Sequence, residues 1–314
     1  MRNLAPKTQL DYNAIVRLLY RSMNETGTPD AAILRDMQST LENIDDKIND
    51  LIGHEGAIYA LEESFNANKC YSAGFDNMVV EWDLIGNASP VAIAKLPSKA
   101  FSILKIETLN LLLVGTAQGG VHIIDITTKT EVKFLLVQTD MIFDLLYLED
   151  KNQLIVVSAD GSLAAWNCEN WTLIIQKKIA TNKLRTCIAF NNELLIGCED
   201  GVIRILDHNF NQINQISSHD AGFGVNTILI SPNKTYLISG SRDGHINFHS
   251  LEDNYKLVKR IPAHNFAVYD IKFSPDHTKF ITVSRDKSFK IWDAKTLEVV
   301  SKIDFKSKGH KASV

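Results

Sequence analysis

The chain has 314 residues, 45% of them hydrophobic and 22% charged, a globular balance long enough for one large repeat architecture or two ordinary domains. The 33 Lys and Arg against 37 Asp and Glu leave a net charge of −4, which gives no general attraction to nucleic acid or to an anionic membrane. No apolar run approaches the roughly 20 residues that span a bilayer, and MRNLAPKTQLDY at the start has no signal-peptide core, so a cytoplasmic chain is the default.

Residues 1–52 carry a helical period. Tyr12, Val16, Leu19 and Met23 form one apolar face, widened by Ile15 and Leu18. Gly27–Pro29 is a break, and Thr28 or Asp30 suits the cap of a second helix. Leu34, Met37, Leu41, Ile44, Ile48 and Leu51 then make an a/d seam of about two and a half heptads. Helices of this length are marginal alone in water, so the seam needs cover. Either this segment is a hairpin docked on the neighbouring domain, or residues 34–51 self-associate as a short coiled coil.

From Gly53 onward the period becomes that of strands. An acidic turn residue recurs at Asp76, Asp160, Asp200, Asp243 and Asp286, with Gln118 in the remaining unit, at intervals of 40 to 43 residues. Six residues after each marker stand Trp82, Ile124, Trp166, Leu206, His249 and Trp292. A fourth strand-like run closes every unit, from PVAIAKL in the first to EVVSKID in the last. Four strands per unit make a sheet with two apolar faces, which must be covered by stacking around an axis. The apolar first strands then lie nearest the centre.

The unit from Ala263 to Asp293 is the best formed. Its three strands are separated by turns at Pro275–Lys279 and Arg285–Lys287, and His264, Ser284, Asp286 and Trp292 frame it. This unit resembles a WD40 repeat, which opens with Gly-His and closes with Trp-Asp about 40 to 45 residues later. The resemblance implies a hydrogen-bonded tetrad of His264, Ser284, Asp286 and Trp292. His54, Asp76 and Trp82 match three parts in the first unit, where Gly74 stands for the Ser; His219 opens the fifth. It also implies a mainly β fold over 53–314, a WD40-type β-propeller of the seven-bladed kind. Gly309-His310 would begin a last, incomplete blade, a reading preferred to closure with six blades or an open ring, and residues 1–52 would add an α-helical N-terminal segment.

Catalytic and metal chemistry find little support. The His/Asp/Ser set recurs between units and is read as a turn lock, not a triad. His245 and His249 are four apart on a strand, about 13 Å end to end and too far for one metal. Cys70, Cys168, Cys187 and Cys198 form no C-x-x-C pair. Gly115–Gly120 lies at a strand-to-strand turn, where it does not cradle phosphate. Glu62, Glu107, Asp144 and Asp270 do not recur in register. No catalytic residue, metal or cofactor is expected.

The family resemblance directs attention to the loop face, where partner peptides bind. The residues carried there are Tyr59, Phe75, Phe143, Arg242, Tyr269 and Arg285, with Ser102, Thr186 and Asn226 at the aligned places. Aromatic and arginine side chains are the usual interface anchors. The expectation is a non-catalytic protein–protein scaffold that takes acidic and apolar segments of other proteins, and neither nucleic acid nor membrane. The alternative is the recognition module of a larger signalling protein.

Overall fold

The computed structural model describes residues 8–9, 51–66, 68–84, 88–136 and 138–303. Strand alternation builds six four-stranded antiparallel sheets, each a meander whose strands pair in chain order. Blade one runs through Ile58–Glu63, Lys69–Gly74, Met78–Asp83 and Val91–Lys95. Blade two follows with Ala100–Ile106, Leu111–Thr116, Gly120–Asp125 and Thr130–Leu136. Blade three has Ile142–Leu148, Gln153–Ser158, Ser162–Asn167 and Thr172–Lys178. Blade four has Leu184–Phe190, Glu193–Cys198, Val202–Leu206 and Gln212–Ser217. Blade five comprises Val225–Ile230, Tyr236–Ser241, His245–Ser250 and Leu257–Pro262. Blade six ends the set with Val268–Phe273, Lys279–Ser284, Phe289–Asp293 and Val299–Ile303.

The second strand of each blade shows why the sheets stack. Successive side chains leave a strand on opposite faces, and here both faces are apolar. Leu112 and Val114 face blade one, whereas Leu113 faces blade three. Leu154 and Val156 pack toward blade two, and Ile155 and Val157 toward blade four. Five apolar clusters fill the five junctions between consecutive blades. Blades one and six each carry a further cluster on the other face, around Trp82 and around Phe289. Close approach at the axis explains a small residue near the end of strand two. A Cβ on Gly115 would meet Ile142 Cγ2 of the next blade at 2.5 Å, and one on Gly240 would meet Val268 Cγ1 at 2.8 Å.

Two expectations are corrected. Among the described residues the propeller has six blades, not seven, and each of the six sheets takes all four strands from consecutive chain. The seventh blade rested on the Gly309-His310 dipeptide, which lies outside the described residues, and not on any strand period. The α-helical N-terminal segment is also overturned where it is described. Thr8–Gln9 is a strand that pairs with Ile52–His54, and Leu51 at the end of the expected seam is not helical. The remaining helical expectation, residues 10–50, falls outside the described residues, as does the self-association expected of 34–50. Among the described residues there is no α-helix, only 3-10 turns at Glu107–Leu109 and Glu149–Lys151, and no helix long and apolar enough to cross a membrane.

Candidate interaction surface on the rim

The turns between strands two and three all lie on one face, and a buried hydrogen-bonded chain fixes three of them. In blade six, Asp286 accepts from Nδ1–H of His264 at 2.9 Å. Nε2 of His264 accepts from the Thr282 hydroxyl at 2.8 Å, and that oxygen accepts from the Trp292 indole at 2.9 Å. The hydroxyl in this chain is therefore Thr282, not Ser284. Ser284 faces the turn instead, where it takes the Asp286 N–H at 3.1 Å and reaches Phe266 O at 3.3 Å. Burial pushes the His264 imidazole below its ordinary pKa against the pull of Asp286.

Blade one contains the same chain in full. His54 bonds Asp76 at 2.8 Å and Ser72 at 2.6 Å, and Trp82 donates to Ser72 at 2.7 Å. The expected gap at Gly74 does not exist, because the hydroxyl comes from two residues earlier. Blade five uses Asp243, His219 and Ser239, and Ser218 bridges onward to His249, which occupies the tryptophan position. Blades two, three and four have Val114, Val156 and Ile196 where the hydroxyl stands, and no histidine ahead of the first strand. The turn acid there is held by other means: Asp160 accepts from Thr139 N–H at 2.9 Å, and Asp200 pairs with Arg204 at 2.7 Å. All four cysteines are free and buried, and burial pushes Cys70 and Cys168 up to about 12.

The second feature of this face is a bulge repeated six times. In every first strand the pairing slips by one at the second residue, between Ile58 and Ala60, Ala100 and Ser102, Ile142 and Asp144, Leu184 and Thr186, Val225 and Thr227, and Val268 and Asp270. A bulge leaves the extra residue unpaired and re-aims its side chain. The residues so presented are Tyr59, Phe101, Phe143, Arg185, Asn226 and Tyr269.

Four of these six make a continuous run. Tyr59 stacks on Phe101 with centroids 4.7 Å apart and planes 6° from parallel, and Phe101 meets Phe143 edge-on at 5.9 Å. The Arg185 guanidinium lies 4.6 Å from the Phe143 centroid and pairs with Glu199 at 2.5 Å. Glu199 then holds Arg242 of blade five at 2.7 Å. Beside the run, Lys99 Nζ sits 4.0 Å from the ring of Phe75, which is 47% exposed.

The structure thus joins Tyr59, Phe143 and Arg242 through blades two, three and four. Phe75 neighbours the run; Tyr269 and Arg285 are exposed on blade six, outside it. Phe101, Arg185 and Lys99 escaped sequence reasoning, whereas Glu199 stands with Phe75, Arg242 and Arg285 just before the turn marker of its unit. The aligned places Ser102 and Thr186 fall one residue late in blades two and four, where the bulged residues are Phe101 and Arg185. The usable signal was the buried residue opening each first strand: Ala100 and Leu184 mark the bulge at the next position.

One step inside the rim, Asp144 and Asp270 reach to neighbouring blades. Asp144 accepts from Thr186 Oγ1 at 3.0 Å and Cys187 N at 2.9 Å, and Asp270 accepts from Thr227 Oγ1 at 2.9 Å. Burial pushes the Asp144 carboxyl up to about 6 despite these bonds.

The profile of the family "WD domain, G-beta repeat" (WD40) matches residues 46–83, 210–250 and 255–293. The chain is 34% identical over 102 residues to eukaryotic translation initiation factor 3 subunit I of Candida glabrata, covering 32% of this chain and 29% of that protein. It is 24% identical over 263 residues to the Striatin homolog of Dictyostelium discoideum, covering 77% of this chain and 28% of that one. It therefore spans under a third of the length of these relatives. Among solved structures, the WD40 beta propeller domain of Doa1 superposes with a TM-score of 0.70 at 17% identity, over 81% of this chain and 84% of that one.

Two measurements check this geometry. Thr282→Val strands buried Nε2 of His264 and the Trp292 indole, at about 1–3 kcal/mol for each orphaned group. Hydrogen exchange of the Trp292 indole, followed by NMR, should lose protection in Thr282→Val and keep it in Ser284→Ala; the opposite pattern places the acceptor on Ser284. For Asp144, an acid raised above its unfolded value stabilises the fold below that value and loses the contribution as pH rises through about 6. Denaturant curves for Asp144→Asn and the unmodified chain should diverge in the variant's favour between about pH 4 and pH 7, by up to about 3 kcal/mol. A pH-independent difference contradicts this.

Proposed function

We propose that this six-bladed propeller, three of whose segments match the WD40 repeat, is a non-catalytic scaffold that holds a partner protein on its rim. The observation that carries the reading is the run from Tyr59 to Arg242, which lays aromatic faces and guanidinium groups side by side along one edge of the mouth. Rigid aromatics and arginine are the side chains that anchor protein interfaces, because they bring contact area at low entropic cost. The aromatic part, Tyr59, Phe75, Phe101 and Phe143, suits apolar residues of an extended segment. The cationic part, Arg242 and Arg285, suits its acidic residues. WD40 propellers are generally non-catalytic, and the inner carboxylates fit that: Asp144 and Asp270 each accept hydrogen bonds from a neighbouring blade and so act as ties. The net charge of −4 supports a protein partner over nucleic acid, and a cytoplasmic location fits the same reading. A relative named as a subunit of a translation initiation factor is in keeping with a place in an assembly.

Affinity capture from lysate with quantitative mass spectrometry tests the reading. Tyr59→Ala with Phe75→Ala, and separately Arg242→Glu with Arg285→Glu, should each reduce recovery of the main partner by about tenfold or more. Circular dichroism on the same samples shows that the blades are intact. Undiminished recovery by both folded variants rejects the rim as the binding surface.

A further inference from the structure

On the face opposite the rim, the junction of blades three and four holds a groove of about 480 Å³. Its walls are three turns, at 148–151 in blade three and at 190–193 and 207–210 in blade four. The volume lies in the range of sites that take a small ligand or a few side chains, about 300–1,000 Å³. Four carboxylates line it, those of Glu149, Asp150, Glu193 and Asp207, against the single cation of Lys151 and the imidazole of His208.

Those carboxylates have no cation within ion-pair distance among the described residues. Asp207 accepts from the N–H groups of Asn209 and Asn211 at 2.9 and 2.8 Å, bonds that hold its carboxyl below the usual range. Among the described residues, the Glu193 carboxylate accepts from the Tyr255 hydroxyl at 3.4 Å. Glu149 and Asp150 project from an exposed 3-10 turn. Tyr147 and Phe190 add aromatic surface to the same walls. An aromatic face beside unpaired carboxylates is what a guanidinium or ammonium group selects.

The walls are also set in advance. Asn152, Asn191 and Asn192 hold left-handed backbone at φ 50, 49 and 64, and the Tyr147 hydroxyl donates to Asn152 Oδ1 at 2.9 Å. Asparagine is among the few residues that adopt this conformation readily. A site shaped before binding loses less on ordering.

We infer that this groove is a second docking site, separate from the rim, which takes an arginine- or lysine-bearing extended segment of a partner protein. The inference goes beyond the rim reading and stands without it. The two faces then select opposite charge, acidic segments at Arg242 and Arg285 and basic ones here.

The test uses the full chain and a fluorescently labelled oligo-arginine peptide followed by anisotropy, with oligo-glutamate as the comparison. Glu149→Lys with Asp150→Lys alters exposed turn residues of the groove, and Glu55→Lys with Glu298→Lys makes the same charge change at exposed positions before blade one and in blade six, away from it. Oligo-arginine should bind the unmodified chain and lose affinity by about tenfold or more in the groove variant only. Equal losses in both variants mean generic attraction to an acidic protein and overturn the inference, as does binding no tighter than oligo-glutamate. A peptide-free dimer in light scattering that the groove variant abolishes assigns the groove to a second copy and overturns it too.

Discussion

A four-stranded sheet with two apolar faces cannot be left uncovered on either, and the rest of this structure depends on that constraint. The second strands state it most clearly: Leu112 and Val114 leave on one side and Leu113 on the other, all fully buried. Blades two to five therefore sit between two neighbours, blades one and six cover their outer faces with clusters around Trp82 and Phe289, and repeating the unit carries the chain around an axis. Packing at the axis brings the first strands side by side and collects the turns after every second strand on one face. The rim is thus a by-product of core burial, before any residue on it is chosen for a partner.

Within that frame the blades divide into two kinds. Blades one, five and six hold their turns by a chain from acid through histidine to hydroxyl, ending on Trp82, His249 or Trp292. Blades two, three and four lack the histidine and have apolar residues where the hydroxyl belongs. In those blades contacts between neighbours are prominent: Phe101 to Phe143 to Arg185 on the rim, and Asp144 to Thr186 just inside it. The same contacts that bind these blades to each other produce the aromatic and cationic surface. Structure and the proposed recognition share side chains there, so substitution of Phe143 or Arg185 acts on both.

The repeat itself was legible because one turn acid per unit keeps its interval through Asp76, Asp160, Asp200, Asp243 and Asp286. The hydroxyl of the lock was not. In strand two, Thr282 and Ser284 point to the same face, so alternation cannot separate them. Only comparison between units does: the earlier position is Ser or Thr in the three units with a histidine and apolar in the others. Phe101 and Arg185 were missed for a related reason, since a bulge shifts one residue without changing composition. The seventh blade came from a dipeptide without a strand pattern behind it, and the helical reading of the N-terminal segment conflicts with the strand at Thr8–Gln9.

The central claim is that partners are held where the first strands open onto the rim. Hydrogen–deuterium exchange on the full chain, free and bound to the partner recovered by affinity capture, tests it most directly. Binding should slow exchange at 58–60, 100–102, 142–144 and 184–186 and leave the outermost strands unchanged. Protection confined to outermost strands such as Thr172–Lys178, with the rim segments unaltered, would contradict it.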